Sequence, residues 1–370
     1  MNSIKKVQSL GQSIWYDNIR RSMLASGELQ RLVDNGIMGV TSNPTIFEKA
    51  IAGSQDYDDA LRELIKQGLS PEEIFEILAI DDIRSAADIL QPVYQQTGGK
   101  DGFVSLEVSP TLAHDLHRTI EEAVRLFTTL ERPNVMIKVP ATEEGIQAFE
   151  TLTAGGVNIN VTLIFSISQY QEVARAYISG LNKRFKSRQP IDNIASVASF
   201  FVSRIDTAVD SQIENIGNET LLGKIAIANA KVAYARFGEI FNGEGWQRLA
   251  ESGAKAQRPL WASTGTKNPA YSDTLYVDTL IGKNTVNTVP PATLQAFEDH
   301  GQVEPTLNTG LEEAESNLEQ LKALGIDLDS ITQKLLDDGV GSFAKSYTDL
   351  ILSIEDKQNR LKKDNQDVSY

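Results

Sequence analysis

The chain has 370 residues, 41% of them hydrophobic, with 50 acidic against 35 basic side chains and a formal net charge of -15. That length supports a large core, and an α/β barrel of this size runs as one domain, while so acidic a surface argues against nucleic acid or anionic membrane as a general partner. The lack of cysteine rules out disulfides, thiolate nucleophiles and zinc–thiolate sites.

The opening stretch, MNSIKKVQSLGQ, has two lysines but no apolar run behind them, so it is not expected to be a signal peptide. No apolar run approaches the length of a membrane span, and a cytoplasmic location is expected. Short apolar or β-branched runs bounded by turn residues then mark eight candidate strands. In chain order they are Ile14–Asn18, Gly36–Thr41, Phe103–Val108, Val135–Val139, Asn158–Ile164, Val197–Val202, Leu260–Ser263 and Asn284–Thr288. Most are continuously apolar, the pattern of strands covered on both faces.

Helical periodicity fills the intervals. SPEEIFEILAIDDIRSAADILQPVYQQ opens with Ser70 as N-cap, Pro71 at the first helical position and Glu73 at the capping-box position. QQTGGKD (95–101) is read as a helix-ending loop. Apolar stripes run through Ile225, Ala228, Val232 and Ala235; through Leu311, Ala314, Leu318 and Leu321; and through Phe343, Tyr347, Leu350 and Ile354. About eight strand–helix units imply a parallel sheet with right-handed crossovers, which closes naturally into a (β/α)8 TIM barrel with additional helices toward the C-terminus. An open doubly wound sheet would want G-x-G-x-x-G after the first strand, and none is there. A single domain over 1–370 is expected, with a frayed polar tail over 356–370.

In such a barrel chemistry gathers at the C-terminal ends of the strands. The polar residues expected there are Asp17, Thr41, Ser42, Asn43, Glu107, Lys138, Asn160, Thr162, Ser199, Arg204, Ser263 and Lys267. Lys138 is the sharpest, flanked by Met136, Ile137 and Val139 in PNVMIKVPAT. A desolvated lysine has a lowered pKa, and its neutral amine can attack a ketone to form a Schiff base; a strand-end lysine snorkelling to water is the plain alternative. Asp17 or Glu107 could move protons beside it. Asn43, before Pro44, is either a helix cap or an amide that orients a substrate hydroxyl. Arg204, Ser263 and Lys267 could hold a phosphate. His114 and His117, spaced i, i+3 on an expected helix, lack a carboxylate pattern to support metal binding.

These segments resemble those of the transaldolase family. The resemblance is carried by GVTSNPTIF (39–47) and VMIKVPATEEGI (135–146), and extends through NINVTLIFS (158–166), SFFVSRID (199–206) and WASTGTKNPAY (261–271). It implies a metal-free, cofactor-free transferase of the pentose phosphate pathway. Such an enzyme moves dihydroxyacetone from sedoheptulose 7-phosphate to glyceraldehyde 3-phosphate, giving erythrose 4-phosphate and fructose 6-phosphate. By the resemblance Lys138 forms the Schiff base, Asp17 serves the donor's C4 hydroxyl, and Glu107 with Thr162 holds a proton-shuttling water. Asn43 and Asn160 would contact the dihydroxyacetone hydroxyls with Ser199 nearby, Phe201 would stand beside water and substrate, and Arg204 would be the main phosphate ligand, aided by Ser263 and Lys267. The partners implied are sugar phosphates, with neither nucleic acid nor membrane, and a homodimer is compatible with the resemblance. Two alternatives are a fructose-6-phosphate aldolase, which would release free dihydroxyacetone, and a non-catalytic barrel that only binds sugar phosphate.

Overall fold

Eight parallel strands follow one another around a closed barrel, each hydrogen-bonded to the next in sequence and the last to the first. They are β1 (Gln12–Tyr16), β2 (Gly39–Val40), β3 (Phe103–Glu107), β4 (Val135–Pro140), β5 (Ile159–Ile164), β6 (Ser196–Phe201), β7 (Arg258–Ala262) and β8 (Thr285–Val289). The computed structural model describes residues 2–217 and 219–367, the last seven by backbone alone.

Each expected strand is present, with its ends moved for local reasons. β2 keeps only two residues because the next ones are needed elsewhere. Asn43 Oδ1 accepts the Ile46 amide at 2.9 Å and so caps the helix Pro44–Ala52, with Pro44 at its first turn. β1 begins earlier than expected, at Gln12, which is held by β8 through its side-chain bond to Thr285 Oγ1 at 2.9 Å. The capping box expected at Ser70 is formed in full and starts the helix Pro71–Gln96.

Alternation along the strands sends Val135, Ile137 and Val139 to the surrounding helices and Met136, Lys138 and Pro140 to the barrel interior. Near the N-terminal end the interior is filled by Trp15. A Cβ at Gly39 would lie 2.5 Å from the Trp15 ring, so the indole occupies the space a side chain on β2 would need.

Three helices follow β8: Pro291–His300, Leu311–Ala323 and Leu328–Asp367. The last has 40 residues, about 60 Å of helix, and it packs across the C-terminal mouth of the barrel. Ser346 Oγ bonds Thr45 Oγ1 at 2.8 Å, and Lys357 Nζ donates to the Ser54 carbonyl at 2.6 Å and to Asp58 at 3.0 Å. The stretch 356–370, read from sequence as a polar tail, continues this helix through Asp367; Gln358 is buried and donates to the Leu69 carbonyl at 3.0 Å. Residues 368–370 lie outside the described residues.

Candidate active site

Polar groups enter the barrel at both ends, and their pairing differs. At the N-terminal end Asp101 accepts Trp15 Nε1 at 2.9 Å, Ser13 Oγ at 2.8 Å and Arg258 Nη2 at 2.9 Å. One carboxylate meets one guanidinium there, and the donors saturate it, as a structural plug requires. At the C-terminal end two carboxylates, Asp17 and Glu107, both feel the charge of Lys138, and an arginine stands without a carboxylate partner among the described residues.

Register builds the centre of this upper layer. Lys138 on β4 lies opposite Glu107 on β3 and Asn160 on β5, so all three side chains point into the barrel. Lys138 Nζ donates to Glu107 Oε2 at 3.0 Å and to the Ser42 carbonyl at 3.0 Å. The side chain is 6% exposed, so the lysine does not snorkel to solvent. Its ammonium also sits 5.7 Å from the centroid of the Phe343 ring.

Burial pushes the Glu107 carboxyl above the ordinary range, and Asp17 adds to that push; the Lys138 charge and its hydrogen bond oppose it without cancelling it. Asp17 is raised for the same first reason, loss of water, against the Thr41 hydrogen bond and the charges of Lys138 and Lys267. Thr41 Oγ1 donates to Asp17 Oδ1 at 2.6 Å and lies 2.6 Å from Thr288 Oγ1. With its proton committed to Asp17, Thr41 accepts from Thr288, so β1, β2 and β8 jointly orient the carboxylate.

Thr162 is placed by an irregularity in β5. The ladder to β6 shifts register between Val161 and Ile164, and Leu163 takes φ +61°, a left-handed conformation rare for a branched side chain. Thr162 Oγ1 is buried with no hydrogen-bond partner among the described residues. Such strain beside an unused buried hydroxyl is the pattern of a site that receives a ligand. Asn160, wholly buried, accepts from Ser199 Oγ at 2.6 Å and donates to Ser105 Oγ at 3.2 Å.

The other end of the site is cationic. Arg204 is the second residue of the helix Ser203–Ile216, partly buried, its guanidinium carbon 5.2 Å above the Phe201 ring. It makes no ion pair or hydrogen bond among the described residues, and loss of water lowers its pKa. Ser263 lies beside it at the end of β7, at φ +55°, with its Oγ 3.0 Å from Ser203 Oγ. The helix bearing Arg204 is braced from below. Asp206 accepts the Ala226 amide at 2.7 Å and Tyr276 Oη at 2.8 Å, and Asp210 accepts the Gly223 amide at 3.1 Å and Tyr271 Oη at 2.8 Å. Desolvation drives the Asp206 carboxyl up to about 7.

One cavity of about 570 Å³ joins the two ends. Of the eleven residues to which the family resemblance gives a role, nine line it: Asp17, Asn43, Lys138, Thr162, Ser199, Phe201, Arg204, Ser263 and Lys267; Thr41 lines it too. Glu107 and Asn160 stand behind that wall, reaching it through Lys138 and Ser199 respectively. Asn43 does serve as a helix cap, but only through Oδ1. Its amide nitrogen has no bond among the described residues, so the two readings of Asn43 do not exclude each other.

Sequence reading missed Ser105, Thr288 and Phe343. Thr288 ends a strand and was findable from that alone; Phe343 was seen as part of a helical stripe but nothing local pointed it at the cavity. The expectation that His114 and His117 share a helix is corrected: Asp115 caps a helix that begins at Leu116, and His114 sits outside it beside Glu144 at 3.3 Å.

Fold and site together define a class: (β/α)8 barrels with a buried lysine on the fourth strand, two carboxylates beside it and an unpaired arginine across the cavity. A family model described as transaldolase/fructose-6-phosphate aldolase matches residues 14–354, and the chain belongs to that family. It is 47% identical to the transaldolase of Trichodesmium erythraeum, over 97% of this chain and 98% of that protein. It is 48% identical to the transaldolase of Thiobacillus denitrificans over 96% of this chain and all of that one, and 47% identical to that of Neisseria gonorrhoeae over 95% and 99%.

Proposed function

We propose that this protein is a transaldolase, which moves dihydroxyacetone between sugar phosphates through an imine on Lys138. The observation that carries the reading is Lys138, buried against Glu107 and lining one cavity with Asp17 and with Arg204, which has no anionic partner among the described residues.

The residues divide the work as follows. Glu107, 3.0 Å from Nζ, takes the proton that Lys138 must lose before it attacks the ketose carbonyl. The carbinolamine that forms gains a proton and loses water, with Glu107 and the unused Thr162 hydroxyl moving and holding that water. The protonated imine is an electron sink. Asp17 then accepts the C4 hydroxyl proton, the C3–C4 bond breaks, and its electron pair flows into the imine to leave an enamine. The first aldehyde product departs, and an acceptor aldehyde is attacked by the enamine carbon while Asp17 returns the proton to the new hydroxyl. Water finally hydrolyses the imine and frees Lys138. Throughout, Arg204, with Ser263 and Lys267, holds the phosphate, and Asn43 and Ser199 are within reach of the hydroxyls. The raised Asp17 carboxyl suits a group that must take and return a proton within one cycle.

The test is acceptor dependence. With fructose 6-phosphate alone, product should stop at about one equivalent per site, and adding erythrose 4-phosphate should start steady turnover. Steady release of free dihydroxyacetone without acceptor would make the protein an aldolase instead.

A further inference from the structure

The enamine on Lys138 is the intermediate that must survive until an aldehyde arrives. Protonation of its carbon, followed by hydrolysis of the imine, would return Lys138 and lose dihydroxyacetone to solvent. Something must keep water off it. Five polar side chains on the cavity wall, Asp17, Asn43, Thr162, Ser199 and Arg204, attract water.

We infer that Phe343, delivered by the C-terminal helix, is the residue that shields the Lys138 adduct, and that it thereby sets the ratio of transfer to release. The inference rests on the transaldolase reading. Phe343 is 4% exposed, lines the cavity, and places its ring 5.7 Å from Nζ. The ring belongs to the apolar core, yet it also meets the Lys138 ammonium, a neighbour that core filling alone does not call for. The nitrogen of the imine is that same Nζ atom and carries positive charge, so the ring both covers it and favours its protonated form.

The helix is held so that the ring stays there. Gly339, Phe343 and Ser346 fall on one helical face, and each meets a different part of the site. A Cβ at Gly339 would lie 2.9 Å from Leu163 Cδ2, on the strained bulge of β5, and 3.7 Å from Arg204 Nη1. Ser346 bonds Thr45, on the helix that Asn43 caps, at 2.8 Å. Phe343 is thus fixed between the bulge and the Asn43 helix.

The experiment compares wild type with Phe343→Ala and Phe343→Leu on fructose 6-phosphate. It measures free dihydroxyacetone released without acceptor and transfer to erythrose 4-phosphate, with borohydride trapping at Lys138 as a separate readout. Opening the space beside Nζ admits water, so the release-to-transfer ratio should rise about tenfold in the alanine variant, the scale of one desolvated cation–ring contact. Leucine keeps apolar bulk without the ring and should raise it by a smaller factor, about threefold; if the alanine variant does not fold, leucine decides. A variant that still forms the Lys138 adduct but keeps the wild-type ratio overturns the role of Phe343. If wild type itself forms no adduct, the transaldolase reading fails, and the two failures are told apart.

Discussion

Lys138 and Arg204 are two of the cations that line the site, and they are kept in opposite ways. Lys138 has a carboxylate at 3.0 Å; Arg204 has an aromatic ring at 5.2 Å and no anion among the described residues. A guanidinium cannot shed its charge, so a partly buried one without an anionic partner carries a desolvation cost that a bound phosphate would offset. Arg204→Ala should therefore raise the KM for fructose 6-phosphate by roughly 10- to 100-fold, the worth of charge-assisted hydrogen bonds, and change kcat far less. Initial rates against substrate concentration measure this. An unchanged KM would place the phosphate elsewhere.

At the scale of elements, the helix Ser203–Ile216 matters because it aims Arg204 and packs against the segment after β7 that carries Ser263 and Lys267. Tyr271 and Tyr276, from that segment, reach Asp210 and Asp206 on the helix. Asp206 is the titrating member. Its folded pKa of about 7 lies above the ordinary 3.8, so the folded state binds the proton more tightly than the unfolded chain. The stability from that proton is complete below about pH 4 and is lost as pH rises through about 7, at up to about 1.4 kcal/mol per pH unit. Asp206→Asn keeps an acceptor for the Ala226 amide but cannot ionise. Denaturant midpoints at pH 5 and pH 8 should show wild type losing stability relative to the variant by more than about 1 kcal/mol. Parallel pH profiles would mean that Asp206 is ionised in the folded state across that range.

At the scale of the molecule, the strands were legible because parallel strands covered on both faces are continuously apolar. A polar residue inside such a run, as at Lys138, Asn160 and Thr162, therefore marks the barrel interior. The strict alternation of side chains then put Glu107, Lys138 and Asn160 on one face without any knowledge of the helices. What was not legible is whatever depends on contacts between distant segments. Asp101 sat in what read as a loop, yet it plugs the N-terminal end with Arg258. Asn160 was expected at the substrate hydroxyls with Ser199 nearby, but nothing local showed that Ser199 and Ser105 would both bond its amide. Phe343 read as one more apolar position on a late helix. Only the path of that helix across the barrel brings it to Lys138.

Fructose 6-phosphate incubated with the protein and then reduced with borohydride, followed by intact-mass and peptide analysis, reads the covalent step itself. A single dihydroxyacetone-derived addition on the peptide bearing Lys138 is the expected result. No addition, or an addition on another lysine with Lys138 unmodified, would contradict the whole assignment of the cavity.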